Sequence, residues 1–429
     1  MQSRGTAIEA YRLSTLDNGL RVATERTEGV RSVALGVWIA AGSRLEPIEL
    51  GGISHFIEHL IFKGSSKYTA SEIAHIFDDL GAEPNASTSK EHTLVNARLL
   101  DEDLETAFEV IAEMVARPSF ADLDQEREVV LEEVAMYEDS PPELIHDDLS
   151  EVVFGEHPLG RPIIGHYETL SALDLATVRE YHDAHYVNPG IVIAAGGNVD
   201  HDKLCDLAAR HFRPEPGAVV ALPELTAPER RHVARFTRKD TEQYHVCLGG
   251  PGPRRGDPDR YAVFVVDTIL GGSWSSHLFQ EVREKRGLAY SVYSYTSLYA
   301  DAGLTAVYFG SRQEAVEEAM QVILEVLHHL EDEMSDSAIT RAKNHLKGQL
   351  VLSMESPGAR MQSLGRAILL EQPVLSVDEV LERIDAVDRD DVIAAVRRYY
   401  DPETWSTACI GPQPEPFQAV VQGFDREER

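Results

Sequence analysis

The stretch GGISHFIEHLIFKG, residues 51–64, contains three side chains that can bind or serve a metal ion: His55, Glu58 and His59. In a helix, residues at this spacing lie on one face, so two imidazoles can bind one zinc ion while the glutamate stands beside it. The order His-x-x-Glu-His reverses the commoner zinc-protease signature, and in the inverted version the glutamate acts as general base. The stretch therefore predicts a zinc-binding helix with Glu58 as the catalytic base.

The residues around the motif predict a short buried helix. Gly51 and Gly52 precede it, Gly64 closes it, and its other faces are apolar. The alternative is that His55 and His59 are core histidines whose ring nitrogens bond to backbone carbonyl groups. Burying both imidazoles and a carboxylate on one apolar turn without a cation would cost about 1–3 kcal/mol for each unpaired group. This cost favours the metal interpretation.

A catalytic zinc site needs a third protein ligand besides His55 and His59. Residues 126–139 are predicted to form a helix, and we expect Glu133 to point inward from it as the third ligand, while Glu132 is solvated. The neighbours of Glu133 three and four positions away are all apolar or aromatic, namely Val129, Val130, Met136 and Tyr137. The alternative for Glu133 is a buried ion pair with an arginine.

Glu126 lies seven residues before Glu133, on the same face of the predicted helix. A carboxylate in that position can orient a metal ligand or a bound water without touching the metal itself. The alternative is a solvated glutamate in the first helical turn.

These stretches resemble the pitrilysin (inverzincin) family of zinc metallopeptidases, in a short bacterial form similar to the beta subunit of the mitochondrial processing peptidase. The resemblance rests on residues 51–64, on EREVVLEEVAMYEDSPPE at 126–143 and on HPLGRPIIG at 157–165. Glu133, which follows His59 by 74 residues, stands where that family carries its third ligand. The resemblance therefore implies one zinc ion per chain, held by the two histidines and this glutamate.

The resemblance also implies two homologous halves that enclose a clam-like peptide-binding cleft, with an arginine and a tyrosine of the second half contacting the substrate. The stretch SSHLFQEVREKRGLAYSVYS, residues 275–294, places Arg283 and Tyr290 at the matching separation. From the residues alone, Arg283 fits a solvated charged face and Tyr290 a core aromatic. His277 departs from relatives that often carry an arginine there. Residues 86–88 occupy the family's edge strand for substrate peptides.

The chain contains an internal repeat of about half its length. Four residues of the first half recur 214 positions later, which indicates a duplicated unit: Asp174, Val178, Tyr186 and Gly197 become Asp388, Val392, Tyr400 and Gly411. Ser140-Pro141 and Ser356-Pro357 also correspond, at a slightly different offset. We predict an N-terminal metal-binding catalytic domain at 1–213, a proline-rich linker at 214–228 and a homologous substrate-binding domain without metal ligands at 229–429.

Hydrophobic periodicity predicts an α+β fold of two homologous domains, each a mainly antiparallel sheet covered by helices. Apolar residues alternate at 32–39 and 304–309, and Asn18-Gly19 is a hairpin signal. Helical patterns run over 104–116 and 313–331.

Composition excludes some partners and favours one compartment. With 40 basic and 72 acidic residues the net charge is −32, which argues against nucleic-acid binding. The excess could attract cationic peptides or serve solubility alone. Cys205, Cys247 and Cys409 form neither a metal pattern nor an even disulfide set. The amino terminus lacks an apolar signal core and no 18-residue apolar run occurs, so we expect a cytoplasmic protein without a membrane segment.

These observations together predict a zinc-dependent endopeptidase that hydrolyses unstructured peptides. The alternative, of a different class, is a non-catalytic pitrilysin-like subunit that binds peptides or serves a structural role. A third interpretation is that the chain works only beside a second, different chain. The presence of Arg283 and Tyr290 beside the full ligand set favours a self-sufficient enzyme, which we expect to be a homodimer.

Overall fold

The structure, a computed structural model, describes residues 11–212, 218–220, 232–421 and 425–428. The predicted linker 214–228 lies outside the described residues except for 218–220. The strands are β1 Arg12–Thr15, β2 Arg21–Arg26, β3 Ser32–Ile39, β4 Glu83–Thr88, β5 Thr93–Leu100, β6 Ile191–Gly197, β7 Val233–Arg238, β8 Gln243–Pro251, β9 Ala289–Leu298, β10 Gly303–Arg312, β11 Ser406–Gly411 and β12 Asp425–Glu428.

The helices are α1 Ile53–Leu60, α2 Ala70–Asp79, α3 Leu104–Ala116, α4 Leu123–Glu138, α5 Pro141–Phe154, α6 Tyr167–Ala172, α7 Leu175–His185, α8 His201–His211, α9 Arg260–Leu270, α10 Val316–His328, α11 Asp336–Ser353, α12 Pro357–Leu369, α13 Val377–Ala386, α14 Arg389–Tyr399 and α15 Glu415–Gln418. A single π-helical turn spans Phe279–Glu284. Within the described ranges, no helix combines the length and apolar character needed to cross a lipid bilayer.

The described elements form two sheets with helices on their faces, which confirms the predicted α+β class. The first sheet has the order β1-β2-β6-β3-β5-β4, and the second has the order β12-β7-β11-β8-β10-β9. Most neighbouring strands are antiparallel, while β2 with β6 and β7 with both β11 and β12 are parallel. The predicted strand 32–39 and helix 104–116 coincide with β3 and α3.

The internal repeat has a structural counterpart in each sheet. Asp174 and Asp388 cap the equivalent helices α7 and α14, each accepting a hydrogen bond from a backbone N–H three residues on. Val178 and Val392, one turn into those helices, are fully buried. The strands β6 and β11, which end at Gly197 and Gly411, both occupy the third position of a sheet. The repeated residues are therefore the helix caps, core residues and strand ends that define one copy of the repeat.

The chain forms two compact units that are not contiguous in sequence. The first unit contains Met1–Val134, Pro162–Pro223 and Leu352–Ser376, and the second contains Ala135–Arg161, Glu224–Val351 and Val377–Arg429. The predicted boundaries 1–213 and 229–429 follow the two halves of the repeat. The compact units differ from these halves, because Ala135–Arg161 of the first half belongs to the second unit and Leu352–Ser376 of the second half belongs to the first unit. The exchanged segments carry α5 and α12.

Each exchanged helix covers the sheet of the unit it joins. In the first unit, Met361, Leu364 and Ile368 of α12 pack in one apolar cluster with residues of the sheet such as Trp38 and Val192. Gly36 and Gly196 allow the close approach, because a Cβ on Gly36 would lie 2.4 Å from the Met361 sulfur, and one on Gly196 would lie 2.5 Å from a backbone oxygen of α12.

In the second unit, α5 packs on the sheet through apolar and polar contacts. Leu149 and Val153 join an apolar cluster with sheet residues. His146 lies between two tyrosines of β9: its Nδ1 is 2.9 Å from the hydroxyl of Tyr295, and its Nε2 is 3.1 Å from the hydroxyl of Tyr293. Both ring nitrogens of this partly buried histidine are therefore satisfied.

Candidate metal centre

The helix α1 starts at a position that only glycine tolerates easily. Gly52 has φ +94°, and a Cβ there would lie 2.8 Å from the carbonyl oxygen of Ile164. The buried carboxylate of Glu46 caps the helix, because its two oxygens accept hydrogen bonds from the backbone N–H groups of Gly52 and Ser54, both at 2.8 Å. A negative charge at this end also complements the helix dipole. Sequence reasoning did not identify Glu46, although its charge just upstream of a helix was a visible signal.

The apolar residues of α1 anchor the helix in the core of the first unit and leave the motif residues on the opposite side. Ile53, Phe56, Ile57 and Leu60 are fully buried. The rings of His55 and His59 stand edge to face, with centroids 4.7 Å apart. The sequence prediction of one helical turn with both histidines on one face thus matches the geometry.

Glu133 of α4 lies against both histidines. Its Oε2 is 3.2 Å from Nε2 of His59, and its Oε1 is 3.7 Å from Nε2 of His55. One donor atom from each of the three residues lies within 4.8 Å of the other two. Two imidazole nitrogens and a carboxylate oxygen that converge in this way match the donor set and number of a catalytic zinc site.

Glu126 holds His59 from the other side of its ring. The Nδ1 of His59 is 3.0 Å from Oε1 of Glu126, and Lys63 donates a hydrogen bond to the second oxygen at 2.7 Å. Glu126 is only 4% exposed, so it is not the solvated first-turn glutamate of the alternative interpretation. With Nδ1 engaged, Nε2 is the nitrogen of His59 that is free for a metal. Lys63, four residues after His59, was not among the residues singled out from the sequence.

The imidazole of His55 is kept neutral, which is the state that metal binding requires. Burial, with a smaller contribution from the neighbouring His59, lowers the pKa of His55 from 6.5 to about 4. The ring is therefore neutral near pH 7. Its Nδ1 is buried and has no hydrogen-bond partner among the described residues, while its Nε2 is the nitrogen that faces Glu133.

Glu58 projects beside the two histidines, towards the edge strand of the sheet. The hydroxyl of Thr88, the last residue of β4, donates a hydrogen bond to its Oε2 at 2.5 Å. Burial raises the pKa of Glu58 above its usual value, and the hydrogen bond from Thr88 partly opposes this rise. A carboxylate with a raised pKa is suited to accept and return a proton near neutral pH.

The environment expected for Glu133 differs from the one found. Its side chain is 46% exposed, and two of its four supposedly buried neighbours are on the surface, with Val129 49% and Met136 67% exposed. Glu133 thus points towards the two histidines as expected, but the buried apolar environment expected around it is not found, while Glu132 is exposed as predicted. No arginine in the described part of the chain forms an ion pair with Glu133, so the alternative of a buried arginine pair finds no support.

The residues predicted for substrate binding lie in the second unit. The Arg283 guanidinium stacks over the ring of Tyr290, 4.7 Å from its centre, and Tyr290 is 78% exposed. Tyr290 is therefore not a core aromatic. His277, the departure from the family pattern, has its Nε2 3.7 Å from a carboxylate oxygen of Glu333.

Comparison with known proteins places the chain in a family. The model for "Insulinase (Peptidase family M16)" matches residues 21–166, and the model for "Peptidase M16 inactive domain" matches residues 172–346. An uncharacterized zinc protease of Streptomyces coelicolor is 43% identical over 416 residues, which cover 94% of this chain and 90% of that protein. An uncharacterized zinc protease of Bacillus subtilis, YmxG, is 40% identical, with 93% of this chain and 97% of that protein covered. The chain belongs to peptidase family M16, which confirms the pitrilysin resemblance.

Solved structures share the fold. A protease from Helicobacter pylori aligns with a TM-score of 0.88 at 22% identity, covering 94% of this chain and 99% of that chain. A structure from Pseudomonas fluorescens, described as a peptidase M16 inactive domain, gives a TM-score of 0.87 at 23% identity, with 94% and 98% covered. At these identities the likeness establishes the fold alone.

Proposed function

We propose that this chain is a zinc-dependent endopeptidase that hydrolyses peptide bonds in unstructured peptides. The observation that carries the proposal is the convergence of His55, His59 and Glu133, whose donor atoms lie within 4.8 Å of one another. Buried Glu126 supports it, because this carboxylate fixes the ring of His59 with Nε2 towards Glu133.

Each residue has a role that follows from its contacts. Zinc held by His55, His59 and Glu133 would supply Lewis acidity for a peptide carbonyl and a water molecule. Glu58 takes the proton of the attacking water and returns it to the leaving amine, a task that suits its raised pKa. The hydrogen bond from the Thr88 hydroxyl fixes the orientation of the Glu58 carboxylate.

The edge strand β4 supports an extended peptide as the substrate. Among the described strands, β4 pairs with β5 alone and ends the sheet, so its other edge can form hydrogen bonds with an added strand. Its last residue, Thr88, contacts Glu58. A peptide that extends the sheet along β4 would thus run towards the proposed base, and an unstructured chain adopts that extended conformation without first having to unfold.

The test is the variant Glu58→Gln. We expect it to bind zinc as the wild type does and to lose peptidase activity by at least about a hundredfold, because loss of a general base typically costs two to four orders of magnitude. Zinc content is measured by atomic spectroscopy, and cleavage is mapped by mass spectrometry in a mixed peptide library with and without a chelator. Glu132→Gln, an exposed change on α4, is the control. Full turnover by Glu58→Gln would refute the assignment of the base.

The second candidate is a peptide-binding or structural subunit without catalysis. The ligand set argues against this role, since a non-catalytic relative has no need to keep three converging metal donors. Less than roughly a tenth of a zinc ion per purified chain after zinc supplementation would favour the subunit, because the proposed site should bind the metal tightly.

We also propose that the chain needs no different partner and forms a homodimer. Activity of the purified chain alone tests the first statement, and light scattering of the same sample tests the second. Loss of activity on removal of a co-purifying chain would contradict self-sufficiency.

A further inference from the structure

Lys63 is the last residue of a 3-10 helical turn, Ile61–Lys63, that continues α1 beyond Leu60. Its Nζ lies 2.7 Å from Oε2 of Glu126, and Nδ1 of His59 lies 3.0 Å from Oε1 of the same carboxylate. One carboxylate group therefore joins the lysine to a proposed metal ligand.

The carboxylate of Glu126 has no other side-chain partner among the residues that the structure describes. Its side chain is 5% exposed, so water can do little to stabilise its charge. His59 must be neutral to bind a metal ion, because a protonated imidazole has no free lone pair. Within the described part of the chain, the ammonium group of Lys63 is then the countercharge of this buried carboxylate.

The same contacts connect the two helices that carry the proposed metal donors. His55 and His59 lie on α1, and Glu133 lies on α4, seven residues after Glu126. The ion pair of Lys63 with Glu126 runs from the end of α1 to the first turn of α4. It fixes the direction of the carboxylate that holds the ring of His59, and it ties the helix of Glu133 to the helix of the two histidines.

Lys67, four residues further on, provides a comparison within the same stretch of chain. It forms an ion pair with Glu109, whose carboxylate is partly exposed and accepts a second hydrogen bond from Tyr68. In the described part of the chain, neither Lys67 nor Glu109 contacts a metal donor. An ion pair between exposed groups contributes little to stability. The two lysines thus differ in what their carboxylate partners touch.

We propose that Lys63 is a positioning residue of the metal centre. Its ammonium group holds the carboxylate of Glu126 against Nδ1 of His59, and the ring then presents Nε2 to the metal ion. The proposal rests on the proposed function only in taking His55, His59 and Glu133 to bind zinc, and it does not require catalysis.

The test is the zinc affinity of the full chain, measured by competition with a fluorescent chelator. Lys63→Met removes the charge and keeps most of the side-chain length. We expect it to raise the Kd for zinc about tenfold, the lower end of the usual effect of losing a group that orients a metal ligand. Lys63→Arg keeps a cationic donor and should recover most of the lost affinity. Lys67→Met is the matched control and should leave the Kd unchanged.

A double-mutant cycle separates positioning from a general loss of stability. Glu126→Gln removes the carboxylate through which Lys63 acts, so adding Lys63→Met to it should not weaken zinc binding further. The double variant leaves no unpaired charge buried at this position. Its comparison with Glu126→Gln alone therefore decides the role of Lys63 even if Lys63→Met by itself does not fold, which thermal unfolding of the metal-free proteins shows.

Unchanged zinc affinity in Lys63→Met, or the same loss from Lys63→Met with and without Glu126→Gln, would overturn the proposal. A loss in Lys67→Met as large as that in Lys63→Met would also overturn it, because the charge of any nearby lysine would then explain the effect. A wild type that binds no zinc would overturn both this proposal and the proposed function. A wild type that binds zinc but cleaves no peptide would contradict the proposed function alone, and the affinities would still decide the role of Lys63.

Discussion

The hydroxyl of Thr88 lies 2.5 Å from Oε2 of Glu58, so the edge strand β4 and the helix α1 meet at the proposed base. The strand that is open for an added peptide and the carboxylate that would activate water are therefore joined by one hydrogen bond. In the proposed mechanism, placement of the substrate and orientation of the base would both depend on this contact.

Thr88→Val should lower kcat about tenfold, because a hydrogen bond to a carboxylate contributes about 1.5–3 kcal/mol and the loss frees Glu58 to rotate. Zinc content should not change. Thr88→Ser keeps the hydroxyl and serves as the control. Steady-state kinetics with a fluorogenic peptide measure both variants, and a valine variant as fast as the wild type would show that the contact does not orient the base.

Glu126→Gln should weaken zinc binding about tenfold to a hundredfold, the usual cost of removing a residue that orients a metal ligand. The charge that now accepts hydrogen bonds from His59 and Lys63 is lost in this variant. Competition with a fluorescent chelator gives the zinc affinity. Glu128→Gln, on an exposed face of the same helix, should leave it unchanged. Identical affinities in the two variants would contradict the role of Glu126.

Gly196→Ala should destabilise the first unit by about 1–3 kcal/mol, the range expected for overpacking. The new methyl group would lie 2.5 Å from the carbonyl oxygen of Pro357 and 3.2 Å from the backbone nitrogen of Met361, and neither atom can move without shifting α12. Gly348→Ala is the opposite control, because it lies within α11 with no atom within 4 Å and should stabilise the protein by about 0.5–1 kcal/mol. Urea unfolding compares them, and a neutral effect at Gly196 would mean that α12 is not tightly packed.

Asp267→Asn should stabilise the protein, and more at pH 8 than at pH 5. Burial raises the pKa of Asp267 from 3.8 to about 6, and its Oδ1 has no hydrogen-bond partner among the described residues. Well below pH 3.8 the carboxyl is protonated in both the folded and the unfolded state and costs nothing. Between about pH 4 and pH 6 the unfolded state has lost its proton while the folded state still holds it, so the stability of the folded state falls as the pH rises through this range and is constant above it.

The difference between the two pKa values corresponds to about 3 kcal/mol at pH 8. Urea unfolding of wild type and Asp267→Asn at both pH values measures the gain. An equal gain at pH 5 and pH 8 would show that Asp267 titrates normally.

The features of the structure that depend only on the spacing of nearby residues could be predicted from the sequence. The spacing of His55 and His59 fixes their shared face in any helix. The constant offset of 214 residues marked Asp174 and Asp388 as equivalent positions, and the structure shows them as equivalent helix caps. Glu133 was identified by the spacing and by an assumed apolar environment, but only the spacing agrees with the structure. Burial of Val129 and Met136 depends on what covers the helix, and the sequence of α4 does not contain that information.

Two features could not be read from the sequence because they depend on distant parts of the chain. The amphipathic pattern of α5 and α12 shows that each has an apolar face. Both sheets have an apolar surface, so the pattern does not determine which sheet each helix covers. Glu46 and Lys63 likewise gain their roles only when the loop before α1 and the start of α4 fold onto the motif.

The reciprocal placement of α5 and α12 bears on the origin of the chain. Both helices begin with proline after a serine, at Ser140 and Ser356, and so represent the same piece of the duplicated ancestor. In a single ancestral copy, one apolar face of the sheet would have been exposed, because the helix equivalent to α5 and α12 does not pack on the sheet of its own copy. Each half of the repeat therefore lacks the helix that covers its own sheet, and both sheets are covered only because the two halves belong to one polypeptide.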